Sequence, residues 1–193
     1  MQGLILAGGL STRMGEDKAS LLLDNKTLIA WAISNLVGAE ITNITVSVRD
    51  QQQSEWVKHL FGNNMETIVD PKECNGIWDV LKFALPNNER VQILPVDSPW
   101  FDSKAIQLMM KEFKSNSTSI GVVPWSEYGP EPLLMQIDST RFKDLISTKE
   151  AMPLRKLVTN GKFSRINSKV IEEEIGHGNA LRNLNYPDDL IFE

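Results

Sequence analysis

Short apolar runs alternate with amphipathic stretches over the first two-thirds of the chain. Gly3-Leu4-Ile5-Leu6-Ala7 is an apolar run stopped by Gly8-Gly9, which reads as a buried strand of a parallel sheet. Across residues 27–37, Leu28, Ile29, Ala32, Ile33 and Leu36 recur at helical spacing before Gly38 closes the segment. The β-branched run Ile44-Thr45-Val46-Ser47-Val48 predicts the second strand. A helix over 54–61 and a short strand at 67–69, ending at Asp70-Pro71, follow. Residues 77–85 read as helix up to Pro86, and Val91-Gln92-Ile93-Leu94-Pro95-Val96 as a buried strand ending in Asp97. Asp102 is placed to cap a helix running to Phe113, with Ile106, Met109 and Met110 inward, and 119–123 returns to strand. The last third is less regular: a strand over 133–136, helices over 140–146 and 153–158, and a final helix from Pro187. Alternation of this kind predicts an α/β fold with a three-layer, doubly wound, mostly parallel sheet.

Composition narrows the reading. The 193 residues carry no internal repeat or linker, so one domain, 1–193, is expected. A hydrophobic share of 41% supports a packed core rather than disorder. The formal net charge of −5 argues against broad nucleic-acid binding, but not against a nucleotide, which needs only local cations and backbone N–H groups. The single cysteine, Cys74, excludes an internal disulfide and a multi-cysteine zinc site, and His59 and His177 form no metal pattern. No apolar run approaches the roughly 18–20 residues that span a bilayer. The opening lacks a basic leader and does not read as a signal peptide, so a cytoplasmic protein without membrane contact is expected.

The chemistry concentrates in Leu6-Ala7-Gly8-Gly9-Leu10-Ser11-Thr12-Arg13-Met14-Gly15-Glu16-Asp17-Lys18. This segment follows the first strand, at the sheet edge where open α/β folds bind ligands. Glycines allow close approach of backbone amides to an anion, Ser11 and Thr12 add hydroxyls, and Arg13 and Lys18 supply one fork-shaped and one point-like cation. The set suits a triphosphate. The spacing matches neither the dinucleotide G-x-G-x-x-G nor the P-loop G-x-x-x-x-G-K-[ST], and Ser11 is not in a G-x-S-x-G elbow. A solvated turn is the competing reading.

Leu-Ala-Gly-Gly-x-Ser-x-Arg-Met-Gly-x-Asp-Lys over 6–18 resembles the signature of the molybdenum cofactor guanylyltransferase family. The resemblance implies a Rossmann-like fold of the nucleotide-diphospho-sugar transferase type. It also implies transfer of GMP from GTP to molybdopterin with Mg²⁺ as cofactor and release of pyrophosphate. Leu94-Pro95-Val96-Asp97-Ser98-Pro99 is similar to the family's Pro-x-Asp-x-Pro element, which assigns the metal to Asp97; a cap for the next helix is the alternative. Leu6, Ala7, Gly8, Gly9, Ser11, Arg13, Lys18, Ser47, Asp70 and Asp97 are the implied nucleotide residues, with Arg13, Lys18 and Asp97 catalytic. Asn183-Leu184-Asn185-Tyr186-Pro187-Asp188-Asp189-Leu190 resembles Asn-x-Asn-x-Pro-Glu-Asp-Leu, and Met152-Pro153-Leu154-Arg155-Lys156-Leu157 resembles the family's Ser-Leu-Arg-x-Leu helix. These make Asn183, Asn185 and Arg155 the acceptor candidates.

Three positions depart from the family. Ser47 stands where relatives often carry an asparagine at the base. Asn75-Gly76-Ile77-Trp78-Asp79 replaces Gly-Pro-Leu-Ala-Gly, and Trp78 is open to a stacking or a core role. Glu131-Pro132 lies where relatives show His-Pro. Cytidylyl transfer to molybdopterin, a transferase for a sugar or alcohol phosphate, and a non-catalytic nucleotide-binding module therefore stay open. Transient contact with molybdoenzyme maturation proteins is the protein partnership that the first activity implies.

Overall fold

The computed structural model describes residues 1–9, 17–63, 65–74, 76–116, 118–148, 152–185 and 189. The chain begins with β1 (Gln2–Leu6). A one-turn 3-10 helix (Lys18–Ser20) and a small antiparallel hairpin, β2 (Leu22–Leu23) with β3 (Lys26–Thr27), come next. Then follow α1 (Leu28–Gly38), β4 (Ile44–Val48), α2 (Gln51–Phe61), β5 (Glu66–Val69), α3 (Ile77–Ala84), β6 (Arg90–Pro95) and α4 (Ser103–Ser115). The last third holds β7 (Gly121–Ser126), β8 (Gly129–Pro130), β9 (Gln136–Asp138), α5 (Ser139–Ser147), α6 (Leu154–Asn160), β10 (Phe163–Asn167) and α7 (Ser168–Ile175).

The main sheet runs β10-β7-β9-β6-β1-β4-β5, with β8 added beside β7. The pairs β6–β1, β1–β4, β4–β5 and β10–β7 are parallel, whereas β9 is antiparallel to both β6 and β7. Side chains alternate across the strands and feed two cores. Ile5, Val46, Leu94 and Val96 pack against α1, α2, α4 and α7 on one face. Leu4, Val91 and Ile93 pack against α3, α5 and α6 on the other. The result is the expected three-layer α/β/α arrangement.

Strand order explains where the functional edge lies. From β1 the chain winds outward to β4 and β5, then returns to β6 on the opposite side of β1. Connections leaving β1 on its two sides diverge there, and a crevice opens at the carboxyl ends of β1, β4 and β6. The helices framing it start with aspartate caps. Asp50 accepts from Gln53 N ahead of α2, and Asp102 accepts from Lys104 N and Ala105 N ahead of α4. Each such cap is worth about 1 kcal/mol.

Some elements differ from the sequence pattern. The expected strand over 133–136 is a 3-10 turn at Pro132–Leu134 followed by β9. Pro132 has no N–H for a ladder, and the carbonyl of Leu134 accepts from the buried Gln92 side chain at 3.0 Å. Helix α2 starts three residues before the expected Ser54, because the polar Gln51-Gln52-Gln53 turn carries no apolar signal. The sequence pattern does not predict β10 or α7; β10 lies at the sheet edge and buries only Ile166. The helix expected from Pro187 falls outside the described residues. Among the described residues, no helix is long and apolar enough to cross a membrane.

Candidate active site

Lys18, Asp97 and Asn185, which come from three separate segments, meet at the carboxyl edge of the sheet. Lys18 opens the 3-10 turn, and its Nζ donates to Asp97 Oδ2 at 2.9 Å and to Asn185 Oδ1 at 3.4 Å. Asp97 follows β6, and Val96 N bonds Leu6 O at 3.2 Å, so the turns after β6 and β1 leave the sheet side by side. Asp97 does not cap α4, since Asp102 does. Its carboxylate is thus left to Lys18 and the crevice.

The C-terminal asparagines approach along the Asp97 turn. Leu184 is buried and donates its backbone N–H to Asp97 O at 2.8 Å, which places Asn183 and Asn185 on either side. Ser98 Oγ donates to Asn183 Oδ1 at 2.7 Å, while Asn185 N donates to Asp189 Oδ2 at 2.8 Å. The alternation read from the sequence thus separates two jobs. Asn183 fastens the strand-like segment to the Asp97 turn, and Asn185 reaches Lys18.

A cavity of about 530 Å³ opens after the carboxyl ends of β1, β4 and β5, lined by Leu6, Gly8, Gly9, Ser47, Arg49, Asp70 and Lys72 with Ile77 and Val80 among its apolar walls. Asp70 leaves β5 with its N–H bonded to Val48 O at 2.8 Å, and its Oδ1 accepts from Ser47 Oγ. Burial pushes the Asp70 carboxyl above the ordinary carboxylate value of 3.8, and the Ser47 hydroxyl offsets part of that rise. Asp70 Oδ2 rests against Gly8 at the point where a side chain would sit. A Cβ at Gly8 would collide with that oxygen and lie 3.2 Å from Arg49 N. The glycine is thus required by the close approach of two strands' loops, beyond any role toward phosphate. Gly8→Ala is expected to swing the Asp70 carboxylate out of place and weaken nucleoside binding about tenfold, the scale of one charged hydrogen bond, with the fold retained. Titration with nucleosides, paired with a melting curve, checks this.

Asp70→Asn has a signed expectation in pH. The folded protein holds the Asp70 proton more tightly than the unfolded chain does, so its contribution favours the fold at low pH. That contribution is lost as pH rises through the raised value. The asparagine variant is expected to melt higher than wild type at neutral pH and to bind a ligand of this cavity about ten- to a hundredfold more weakly. Wild-type affinity should fall on acidification at a higher pH than an ordinary carboxylate gives, and the variant should lack that step.

Other expected residues fall elsewhere. Arg155, on α6, pairs with Glu131 Oε1 at 2.8 Å. The glutamate that stands where the resemblance implies a histidine therefore holds the arginine. Trp78 packs partly buried against the second core, and Ile77 and Val80 face the cavity instead. Ser11 and Arg13 lie outside the described residues. The sequence reading missed Gln53, whose side chain donates to Ala7 O and Asp17 Oδ2, and Arg49, whose guanidinium lies 3.6 Å from Asp17.

Residues 3–164 match the MobA-like NTP transferase domain. The chain belongs to that family. It is 26% identical to a probable molybdenum cofactor guanylyltransferase of Methanothermobacter thermautotrophicus, over 96% of this chain and 95% of that protein. It is 34% identical to a like-named protein of Pyrococcus horikoshii, over 67% of this chain and 65% of that one. The crystal structure of molybdopterin-guanine dinucleotide biosynthesis protein A from Archaeoglobus fulgidus superposes with a TM-score of 0.79 at 21% identity, covering 98% of this chain and 95% of that one. The likeness in structure establishes the fold, and membership of the NTP transferase family makes the chain a nucleotidyltransferase. In this family context the matched stretch contains Gly8, Lys18, Asp70 and Asp97, whereas Asn183 and Asn185 lie beyond it and return to it through Asp97 and Ser98.

The donor set bears on a metal. Among the described residues no group of three or more His, Cys, Asp or Glu could form a protein cage. A single carboxylate at a strand end, with one oxygen outside the Lys18 ion pair, fits Mg²⁺, which keeps waters and takes its remaining oxygens from substrate phosphates. Zinc would need more protein ligands.

Proposed function

We propose that this chain transfers GMP from GTP to molybdopterin with Mg²⁺, releasing pyrophosphate and forming the guanine dinucleotide. The meeting of Lys18, Asp97 and Asn185 carries this reading, because it joins a cation and a carboxylate at the end of β6, the strand beside the one whose end, at Leu6 to Gly9, lines the Asp70 cavity. The names of the relatives supply the acceptor.

A phosphate oxygen of the acceptor attacks the α-phosphorus in line. A P–O bond forms there as the bond to the β-phosphate oxygen breaks. A phosphate monoester is largely ionised near neutral pH, with a second pKa of about 6, so no protein base is needed. Lys18 offsets charge on the phosphates and on the departing pyrophosphate, and the amides of Gly8 and Gly9 hold the polyphosphate near the sheet. Asp97 would hold Mg²⁺, which supplies Lewis-acid polarisation of phosphate oxygens. Arg13 is the second cation of the motif and is assigned to the triphosphate on that basis. Asn185 is assigned to the acceptor side, Asn183 supports it by holding the segment to Ser98, and Arg155 is a further acceptor candidate, engaged by Glu131.

Base selection rests on Asp70. The Ser47 hydroxyl hydrogen is committed to Asp70, so this pair offers acceptors to the cavity, while Arg49 and Lys72 line it as cations. Guanine presents N1–H and N2–H₂ donors on one edge, and a carboxylate can accept from both. Cytosine offers only its amino group there. The Asp70–Ser47 pair thus supports guanine without the asparagine that relatives carry. The cell interior is the compartment such substrates imply, and transient contact with molybdoenzyme maturation proteins is the partnership that this reaction implies.

The test is pyrophosphate release with Mg²⁺, molybdopterin and each of the four nucleoside triphosphates in turn. GTP is expected to exceed CTP by about tenfold or more, the discrimination scale of one unmatched polar group. Preference for CTP overturns the base assignment, and equal release with a sugar phosphate overturns the acceptor.

A further inference from the structure

Gln53 is buried, 4% exposed, and both polar atoms of its side-chain amide are engaged. Its Oε1 accepts from Arg49 N at 2.7 Å, and its Nε2 donates to Ala7 O at 3.1 Å and Asp17 Oδ2 at 2.8 Å. The two acceptors stand at opposite ends of the glycine-rich segment: Ala7 precedes Gly8-Gly9, and Asp17 precedes Lys18. One nitrogen therefore clamps both ends of that segment.

Asp17 passes the restraint onward. Its Oδ1 accepts from Ala19 N at 3.0 Å, fixing the 3-10 turn that Lys18 opens, and Arg49 lies 3.6 Å from its Oδ2. Ser20 Oγ and N both return to Asp17 O, at 2.8 and 3.0 Å. A continuous line of contacts thus runs from α2 through Gln53 and Asp17 to the backbone of Lys18. A residue serving only to fill the core would not need both donor hydrogens aimed at the loop ends. An amide is also the one side chain of this size with a donor for Ala7 and Asp17 and an acceptor for Arg49.

We propose that Gln53 is a positioning residue for the triphosphate, holding Ala7 and Asp17 so that the Gly8 and Gly9 amides and the Lys18 ammonium serve one ligand. This rests on the guanylyl-transfer reading for the identity of the ligand, but not for the geometry of the clamp. The entropic cost of holding Ala7 and Asp17 together is met during folding, so the ligand meets Gly8, Gly9 and Lys18 already tethered at these points.

The experiment compares the affinity for a triphosphate with that for its nucleoside, using whichever base the wild type prefers. Gln53→Glu sets a carboxylate against Asp17 and the Ala7 carbonyl, and is expected to weaken triphosphate binding about tenfold or more. Nucleoside binding, which depends on Asp70 and Ser47, should change by less than about threefold. Adding Asp17→Asn returns a donor facing the introduced carboxylate, and most of the lost triphosphate affinity should come back. Gln53→Leu, which adds no charge but also removes the acceptor of Arg49 N at the cavity wall, should lose more triphosphate than nucleoside affinity, without rescue, and serves if the Gln53→Glu variant does not fold. Parallel losses for triphosphate and nucleoside overturn the proposal, as does an unchanged triphosphate affinity or a further loss on adding Asp17→Asn. Wild-type protein that releases no pyrophosphate with molybdopterin refutes the transfer reaction alone, since the affinity ratio is still measured.

Discussion

Lys18→Ala is expected to lower pyrophosphate release by about two to three orders of magnitude, the scale seen when one preorganised charge-stabilising donor is removed. The Lys18–Asp97 pair is partly exposed, with side chains 19% and 23% accessible, so its loss costs about 1 kcal/mol or less of stability. Folding should survive, and a melting curve close to wild type is the control. The loss should fall mainly on kcat. Charge on the departing pyrophosphate develops as the α-phosphorus bond breaks, and Lys18 is the cation that the 3-10 turn aims at the crevice. Lys18→Arg keeps the charge but replaces a compact ammonium by a planar fork, so it should recover only part of the rate.

Asp97→Ala is expected to be at least as damaging, by about two to four orders of magnitude, because the proposed Mg²⁺ ligand and the partner of Lys18 vanish together. The measurement is the rate as a function of Mg²⁺ concentration. A loss through metal binding shifts the half-saturating Mg²⁺ upward, and Asp97→Asn, which keeps the shape but weakens the ligand, should be partly rescued by more Mg²⁺. Combining Lys18→Ala with Asp97→Ala should cost little more than the worse single change, since groups that act as one unit are non-additive. Multiplicative losses would place the two residues in separate events.

Legibility of the fold and of the site followed the same physics. Residues that close buried strands declared themselves, because Gly8-Gly9 and Asp97 each follow an apolar run at the sheet edge where ligands bind. That they adjoin came from the parallel register of β1 with β6, which local patterning does not encode but the α/β alternation implies. Asn183 and Asn185 were legible only by resemblance, since their partners Ser98 and Lys18 lie far off in sequence. Asp70 against Gly8 was hidden for the same reason. Gln53 was obscured by its polar neighbours Gln51 and Gln52. A signal did exist: Gln53 stands three and four residues ahead of Trp56 and Val57, on the inward face of α2, where an amide needs partners. The edge strand β10 escaped because its exposed positions are polar and its ladder has one neighbour.

Label position decides the reaction most directly. Wild-type protein given Mg²⁺, molybdopterin and GTP labelled at the α-phosphate should move the label into a pterin dinucleotide, with β- and γ-phosphates leaving together as pyrophosphate. Lys18→Ala and Asp97→Ala should leave nearly all of it in GTP. Label recovered as free GMP, or a dinucleotide formed equally fast by either variant, would contradict transfer at the Lys18–Asp97 centre.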